Sequence, residues 1–185
     1  MNAIYSIGSI ALYHFLALAL PLYFSFATQE LFEFNKMIFV YVVATAVATL
    51  WLLRMASERK ILWRPTPFDW VFGLFFMSQA ASTIFSIDPY TSLFGYYSRF
   101  HGGLASTIAY LILFYGYINT VPRKQTPALL LSLYISASLV SVYAILEHFG
   151  HSVSCLLVPG QKTFGVGCWV QDVQSRVFAT FGQPN

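Results

Sequence analysis

IYSIGSIALYHFLALALPLYFSFA, residues 4–27, contains no Asp, Glu, Lys or Arg. A helix crossing a hydrocarbon core of about 30 Å needs roughly 20 mainly apolar residues, and this stretch supplies them. No Lys or Arg precedes it, and it is longer than the roughly 7–15-residue apolar core of a secretory leader, so it reads as a retained span. The same test applied outward finds four more windows, Met37–Leu53, Trp70–Ile87, Leu104–Val121 and Ala128–Leu146. The second is short and extends through Met55 only by passing the charge of Arg54. The expected fold class is an all-α, polytopic membrane helical bundle. About five transmembrane helices fill residues 1–147 (spans 4–27, 37–53, 70–87, 104–121 and 128–146), and residues 148–185 form an external loop segment.

Composition excludes the main alternatives. Of 185 residues, 57% are apolar and 9% charged, where a soluble domain carries about a quarter charged residues. Mean hydropathy is +0.64, and the 18 Phe, 12 Tyr and 4 Trp suit a chain bordered by lipid and its headgroups. A net charge of +3 without a clustered basic face argues against nucleic acid as a partner. Membrane lipid is the expected surrounding.

Lys and Arg divide unevenly between the connections. Segments 54–69 and 122–127 hold six in 22 residues (Arg54, Arg59, Lys60, Arg64, Arg123, Lys124). Segments 28–36, 88–103 and 147–185 hold four in 64 (Lys36, Arg99, Lys162, Arg176). Positive residues favour the cytoplasmic side, so the expectation is a multi-pass protein of the cytoplasmic (inner) membrane, N-terminus inside and residues after span 5 outside. Pro65, Pro67, Asp88-Pro89, Gly102-Gly103, Pro122 and Pro127 punctuate the spans, and Pro21 is expected to kink the first. The chain stops at Gln183-Pro184-Asn185 without a terminal helix, which reads as a truncated reading frame.

Polar groups at membrane depth are costly and default candidates for function. His14 and Gln79 are such residues, with an interhelical hydrogen bond as the plainer reading. Glu147, His148 and His151 have the spacing of a metal trio but fall where a helix exits, and no metal is expected. Gly165-Val166-Gly167 lacks the rest of a dinucleotide fingerprint and reads as a turn. No nucleophile elbow, zincin or Walker sequence occurs, so no stand-alone hydrolase or ATPase is indicated. Cys155 and Cys168, thirteen apart with Pro159-Gly160 and Gly165–Gly167 between them, are expected to form a disulfide in an external segment, against the alternative of two packed thiols.

The outer loops are richer. Arg99 lies among Tyr90, Phe94, Tyr96, Tyr97 and Phe100, where its planar fork suits phosphate oxygens and the rings suit lipid or sugar faces. A snorkelling arginine in an interfacial belt is the competing reading. Arg176 is a second lone arginine, in a stretch where Val170, Val173, Val177 and Phe178 have the spacing of a short amphipathic helix on the membrane.

Three motifs in order, Ser86-x-Asp88-Pro89, then Phe94-Gly95-x-x-x-Arg99-x-x-Gly102-Gly103-Leu104, then Arg176-x-x-Ala179-Thr180-Phe181-Gly182-Gln183-Pro184-Asn185, carry a resemblance. The chain resembles the N-terminal portion of the O-antigen ligase and polymerase-like family of bacterial membrane glycosyltransferases. Family members often read Gly-Thr-Phe-Gly-Asn-Pro-Asn where this chain has Ala179 and Gln183. The resemblance implies transfer of a glycan from an undecaprenyl-diphosphate carrier to a glycan, lipid or protein acceptor, without cofactor or metal. It implies that Arg176, and less directly Arg99, bind the lipid diphosphate. A histidine in a later external loop is implicated in activating the acceptor; His101, His148 and His151 do not match that motif. A small transporter or lipid flippase is the rival expectation, and a membrane anchor or assembly subunit a third. A transporter predicts broken helices and ionisable residues along a pathway.

Overall fold

The computed structural model describes residues 2–25, 28, 30–157, 163–169, 172–175, 177 and 179–181. Among them are α1 (Asn2–Leu22), α2 (Glu33–Glu58), α3 (Asp69–Ile84), α4 (Pro89–Phe94), α5 (Leu104–Thr120), α6 (Thr126–His148) and α7 (Val153–Leu157). A 3-10 turn, Arg123–Gln125, leads into α6. No strand forms among the described residues; an isolated bridge joins His151 to Gly165.

Three helical segments are long and apolar enough to cross a membrane: Ile4–Leu22, Glu33–Glu58 and Arg123–His148. By length and composition this is a helical membrane protein. The windows expected at 70–87 and 104–121 form α3, with 16 residues, and α5, with 17. At 1.5 Å per residue these rise about 24 and 26 Å, short of a hydrocarbon core of about 30 Å.

The end of α1 differs from expectation. The helix stops at Leu22 instead of running to Ala27, and Pro21 sits in its last turn rather than kinking its middle. Proline has no N–H for the carbonyl four residues back, here that of Ala17. The Ser136 hydroxyl of α6 donates to that carbonyl at 2.8 Å, so the acceptor vacated by Pro21 becomes a helix-to-helix contact.

α1 packs against α2, α5 and α6; α2 also packs on α5, and α3 lies against α5 and α4. One core cluster is Tyr13, Val43, Val47 and Val121; a second is Met37, Val40, Ala44 and Ala109. At Gly116, α5 closes on the first of them. A Cβ there would stand 2.5 Å from Val47 Cγ1 and 2.9 Å from the Tyr13 hydroxyl. Only a hydrogen fits between α5 and the α1–α2 pair, the close approach small residues permit in membrane bundles. The Tyr13 hydroxyl donates to the Leu113 carbonyl at 2.6 Å, and His14 Nδ1 is 2.7 Å from the Ser132 hydroxyl. His14 is thus part of the α1–α6 joint.

The antiparallel course sorts the connections to two ends. At one, the Arg64 backbone N–H donates to Asn119 Oδ1 (2.8 Å), Ser6 donates to the Thr120 carbonyl (3.1 Å), and Trp63 stacks on Trp51 and Tyr115. This basic end gathers Arg54, Arg59, Lys60, Arg64, Arg123 and Lys124, which corrects the expectation of no clustered basic face: two connections distant in sequence share one end of the bundle. At the opposite end lie the described residues of the connections 23–32 and 85–103 and the described residues that follow His148.

Candidate functional site

The connection between α3 and α5 is built by its motif. Asp88 caps α4, accepting from the Thr91 backbone N–H at 3.2 Å and from the Thr91 hydroxyl at 2.5 Å, with Pro89 in the first turn. These bonds hold the exposed Asp88 carboxyl below the usual aspartate range, the Thr91 hydroxyl contributing most. Ser86 accepts from the Asp88 backbone N–H at 3.1 Å and from the Ser92 hydroxyl at 2.6 Å. Ser86-x-Asp88-Pro89 is therefore a helix start.

The glycines of the second motif close the loop. Gly95 has φ +84°, and a Cβ on it would lie 2.0 Å from the His101 carbonyl oxygen. A Cβ on Gly103 would lie 2.5 Å from both Gly95 N and Leu93 O. Two backbones touch here, with no room for a side chain on either. The crossing fixes 96–102, and the Tyr41 hydroxyl of α2 donates to the Phe100 carbonyl at 2.8 Å. Arg99, half-exposed, is thereby set against the first turn of α2. Its Nε is 3.1 Å from Glu33 Oε2, an ion pair in which that oxygen receives no aligned hydrogen bond. His101 Nε2 is 3.7 Å from the same oxygen.

The third motif reaches the same turn from the other side. Arg176, Gly182, Gln183, Pro184 and Asn185 lie outside the described residues, but Ala179–Phe181 do not. Lys36 Nζ donates to the Thr180 carbonyl at 2.6 Å and sits 4.7 Å from the centre of the Phe181 ring. The Thr180 hydroxyl donates to the Pro21 carbonyl at 2.5 Å. Ala179 N–H donates to Glu147 Oε2 at 2.9 Å. Glu33 and Lys36 are three residues apart, so they share one face of α2. Glu30 satisfies the start of that helix, accepting from the N–H groups of Phe32 (3.2 Å) and Phe34 (2.6 Å).

Glu147 organises the segment between. It is fully buried at the end of α6, and its Oε1 accepts from the hydroxyls of Tyr143 (2.8 Å) and Ser152 (3.0 Å). Ser152 also receives Trp169 Nε1 at 3.2 Å, and Trp169 stacks on Phe32 with ring centres 5.9 Å apart. Cys155 and Cys168 are joined in a disulfide, Cα atoms 5.5 Å apart. The carboxylate is thus occupied by hydroxyls and a backbone N–H, while His148 Nδ1 lies 2.8 Å from the Gln174 carbonyl and His151 Nδ1 3.1 Å from that of Phe149. No group of potential metal ligands forms among the described residues.

The amphipathic helix read from Val170, Val173, Val177 and Phe178 is not formed where it is described. Val170 and Phe178 lie outside the described residues, while 173–175 form a turn in which the Ser175 hydroxyl donates to Asp172 Oδ2 at 2.7 Å. Val173 is buried against Phe32, not laid on lipid. Gly165 and Gly167 lie in bridge and turn. Gln79 faces a cleft of 520 Å³ between α3 and α5, with His101, Ser106 and Tyr110.

The structure thus brings Arg99 and the Ala179–Phe181 segment together through Glu33 and Lys36, two residues whose sequence signal was only their charge in a short connection. Chemically the site offers a half-exposed guanidinium and two aromatic-rich loops at one end of the bundle. Beyond its ion pair with Glu33, the Arg99 guanidinium forms no side-chain hydrogen bond among the described residues, leaving N–H donors for an anion. No family model, curated protein or solved structure matches the chain.

Proposed function

We propose that this chain is the N-terminal membrane part of an O-antigen ligase-like glycosyltransferase. It transfers a glycan from an undecaprenyl-diphosphate carrier to a glycan, lipid or protein acceptor at the outer face of the cytoplasmic membrane. The observation that carries the reading is the meeting of two motifs, distant in sequence, on one turn of α2: Arg99 at Glu33 and Thr180 at Lys36. In this reading α3 and α5 also span, with local thinning of the bilayer and snorkelling of flanking side chains making up their length. The basic end is cytoplasmic, and the Arg99 end faces outward.

Arg99 and Arg176 bind the diphosphate of the donor with charge-assisted forks. As the glycosidic bond breaks, charge grows on the departing lipid diphosphate, so the guanidinium groups favour the transition state over the bound donor. The group that activates the acceptor lies in another part of the enzyme. The rival transporter reading expects broken helices and ionisable residues along a pathway, whereas α1, α2 and α6 are continuous and His14 is engaged by Ser132.

The test is glycan transfer by the full-length protein reconstituted with a lipid-diphosphate-linked donor. Arg99→Ala and Arg176→Ala are each expected to lower the rate by about tenfold or more, the worth of one charge-assisted hydrogen bond. The Lys variants should be impaired too, since they keep charge but lose the fork. Parental rates in both Ala variants, with normal insertion, would remove the donor-site assignment.

A further inference from the structure

The basic end holds a cavity that the proposed transfer chemistry does not use. It measures 430 Å³ and lies between the α2–α3 connection, the end of α5 and the turn entering α6. Phe68, Phe114, Tyr117 and Val121 contribute its apolar lining; Arg64 and Arg123 contribute its charge. Arg64 Nη1 donates to the Ile118 carbonyl at 3.2 Å, which anchors its guanidinium beside the cavity. Arg123 is exposed, and its guanidinium has no hydrogen bond or ion pair among the described residues.

The acids nearby do not neutralise this pair. Glu58 is held by Arg54 at 2.8 Å. Asp69 accepts from the Thr66 backbone N–H (3.1 Å), the Thr66 hydroxyl (2.5 Å) and the Tyr115 hydroxyl (2.8 Å), so its charge faces its own turn. Arg59, Lys60 and Lys124 add further positive charge at this end. Exposed Ile61, Trp63 and Phe68 mark it as membrane-interfacial.

We infer that this cavity binds one anionic phospholipid, its phosphate between Arg64 and Arg123 and its first methylenes against Phe68, Phe114, Tyr117 and Val121. Two guanidinium forks match phosphate oxygens, and an apolar floor beside them suits a ligand whose charge is attached to hydrocarbon. Neither a free anion nor a neutral lipid uses both halves of the site.

The purified chain, titrated with phosphatidylglycerol and separately with phosphatidylcholine, should retain one phosphatidylglycerol by native mass spectrometry. The expected preference over phosphatidylcholine is about tenfold or more. The double variant Arg64→Ala, Arg123→Ala should lose that preference, while Arg59→Ala, Lys60→Ala should keep it. Arg123→Ala alone, at an exposed and unengaged side chain, should lower it several-fold and carries the test if the double variant does not fold. Equal affinity for the two lipids would overturn the inference, as would equal loss in the Arg59, Lys60 variant, which would reveal only diffuse surface charge. Displacement of the lipid by inorganic phosphate at matching concentration would make this an anion site and overturn it as well.

Discussion

Ala179 holds a left-handed backbone, φ +44°, between the N–H it gives to Glu147 and the Thr180 carbonyl that receives Lys36. An L-residue in that region brings its Cβ too near its own backbone, costing about 1–2 kcal/mol. Glycine escapes that cost. Ala179→Gly is therefore expected to preserve or slightly raise stability, because its added unfolded-chain entropy of about 0.5–1 kcal/mol is offset by the relieved conformation. Ala179→Val should destabilise by about 1–2 kcal/mol, since a β-branched side chain tolerates positive φ still less. Thermal unfolding in detergent decides both. At this scale some of the site was readable: Asp88-Pro89 and the paired glycines are local signals, because capping and tight approach act between near neighbours. Glu33 and Lys36 were not, because what distinguishes them is contact with Arg99 and Thr180, and no short pattern encodes a contact made across helices.

Among the elements, the apolar windows located the helices because burial in lipid imposes length and hydropathy on each one separately. Their ends were less legible. The first window ran to Ala27 since Tyr23, Phe24 and Phe26 are as apolar as the helix before them, yet Pro21 ends the hydrogen-bonded ladder and α1 stops at Leu22. The compensation lies on another element, where the fully buried Ser136 of α6 donates to the Ala17 carbonyl. Ser136→Ala should destabilise the α1–α6 joint by about 1–2 kcal/mol, the worth of an interhelical hydrogen bond whose loss leaves the Ala17 carbonyl without that donor. Pro21→Ala in the same background should recover most of that loss by giving Ala17 a helical donor. A double-mutant cycle on unfolding free energy measures the coupling, and strict additivity would separate the two residues.

For the whole molecule, the decisive property is that connections alternate between two ends, one gathering arginines and lysines and the other gathering the motifs. In the proposed orientation, with the basic end cytoplasmic, a cysteine at Ser98 should react with an impermeant thiol reagent in intact spheroplasts, and one at Ser57 only after the membrane is opened. The reverse pattern would turn the proposed active face inward. The contacts that tie the motif end together also set an order of assembly during synthesis. Lys36 meets Thr180 across 144 residues, and Pro21 meets it across 159. At about 5–20 residues per second, the ribosome delivers Thr180 roughly 7–30 seconds after Lys36 has been made. Through that interval the first hairpin exists with the Lys36 ammonium group and the Pro21 carbonyl still hydrated. The nascent chain therefore carries a polar notch at the head of its first hairpin, held open until Thr180 arrives to fill it.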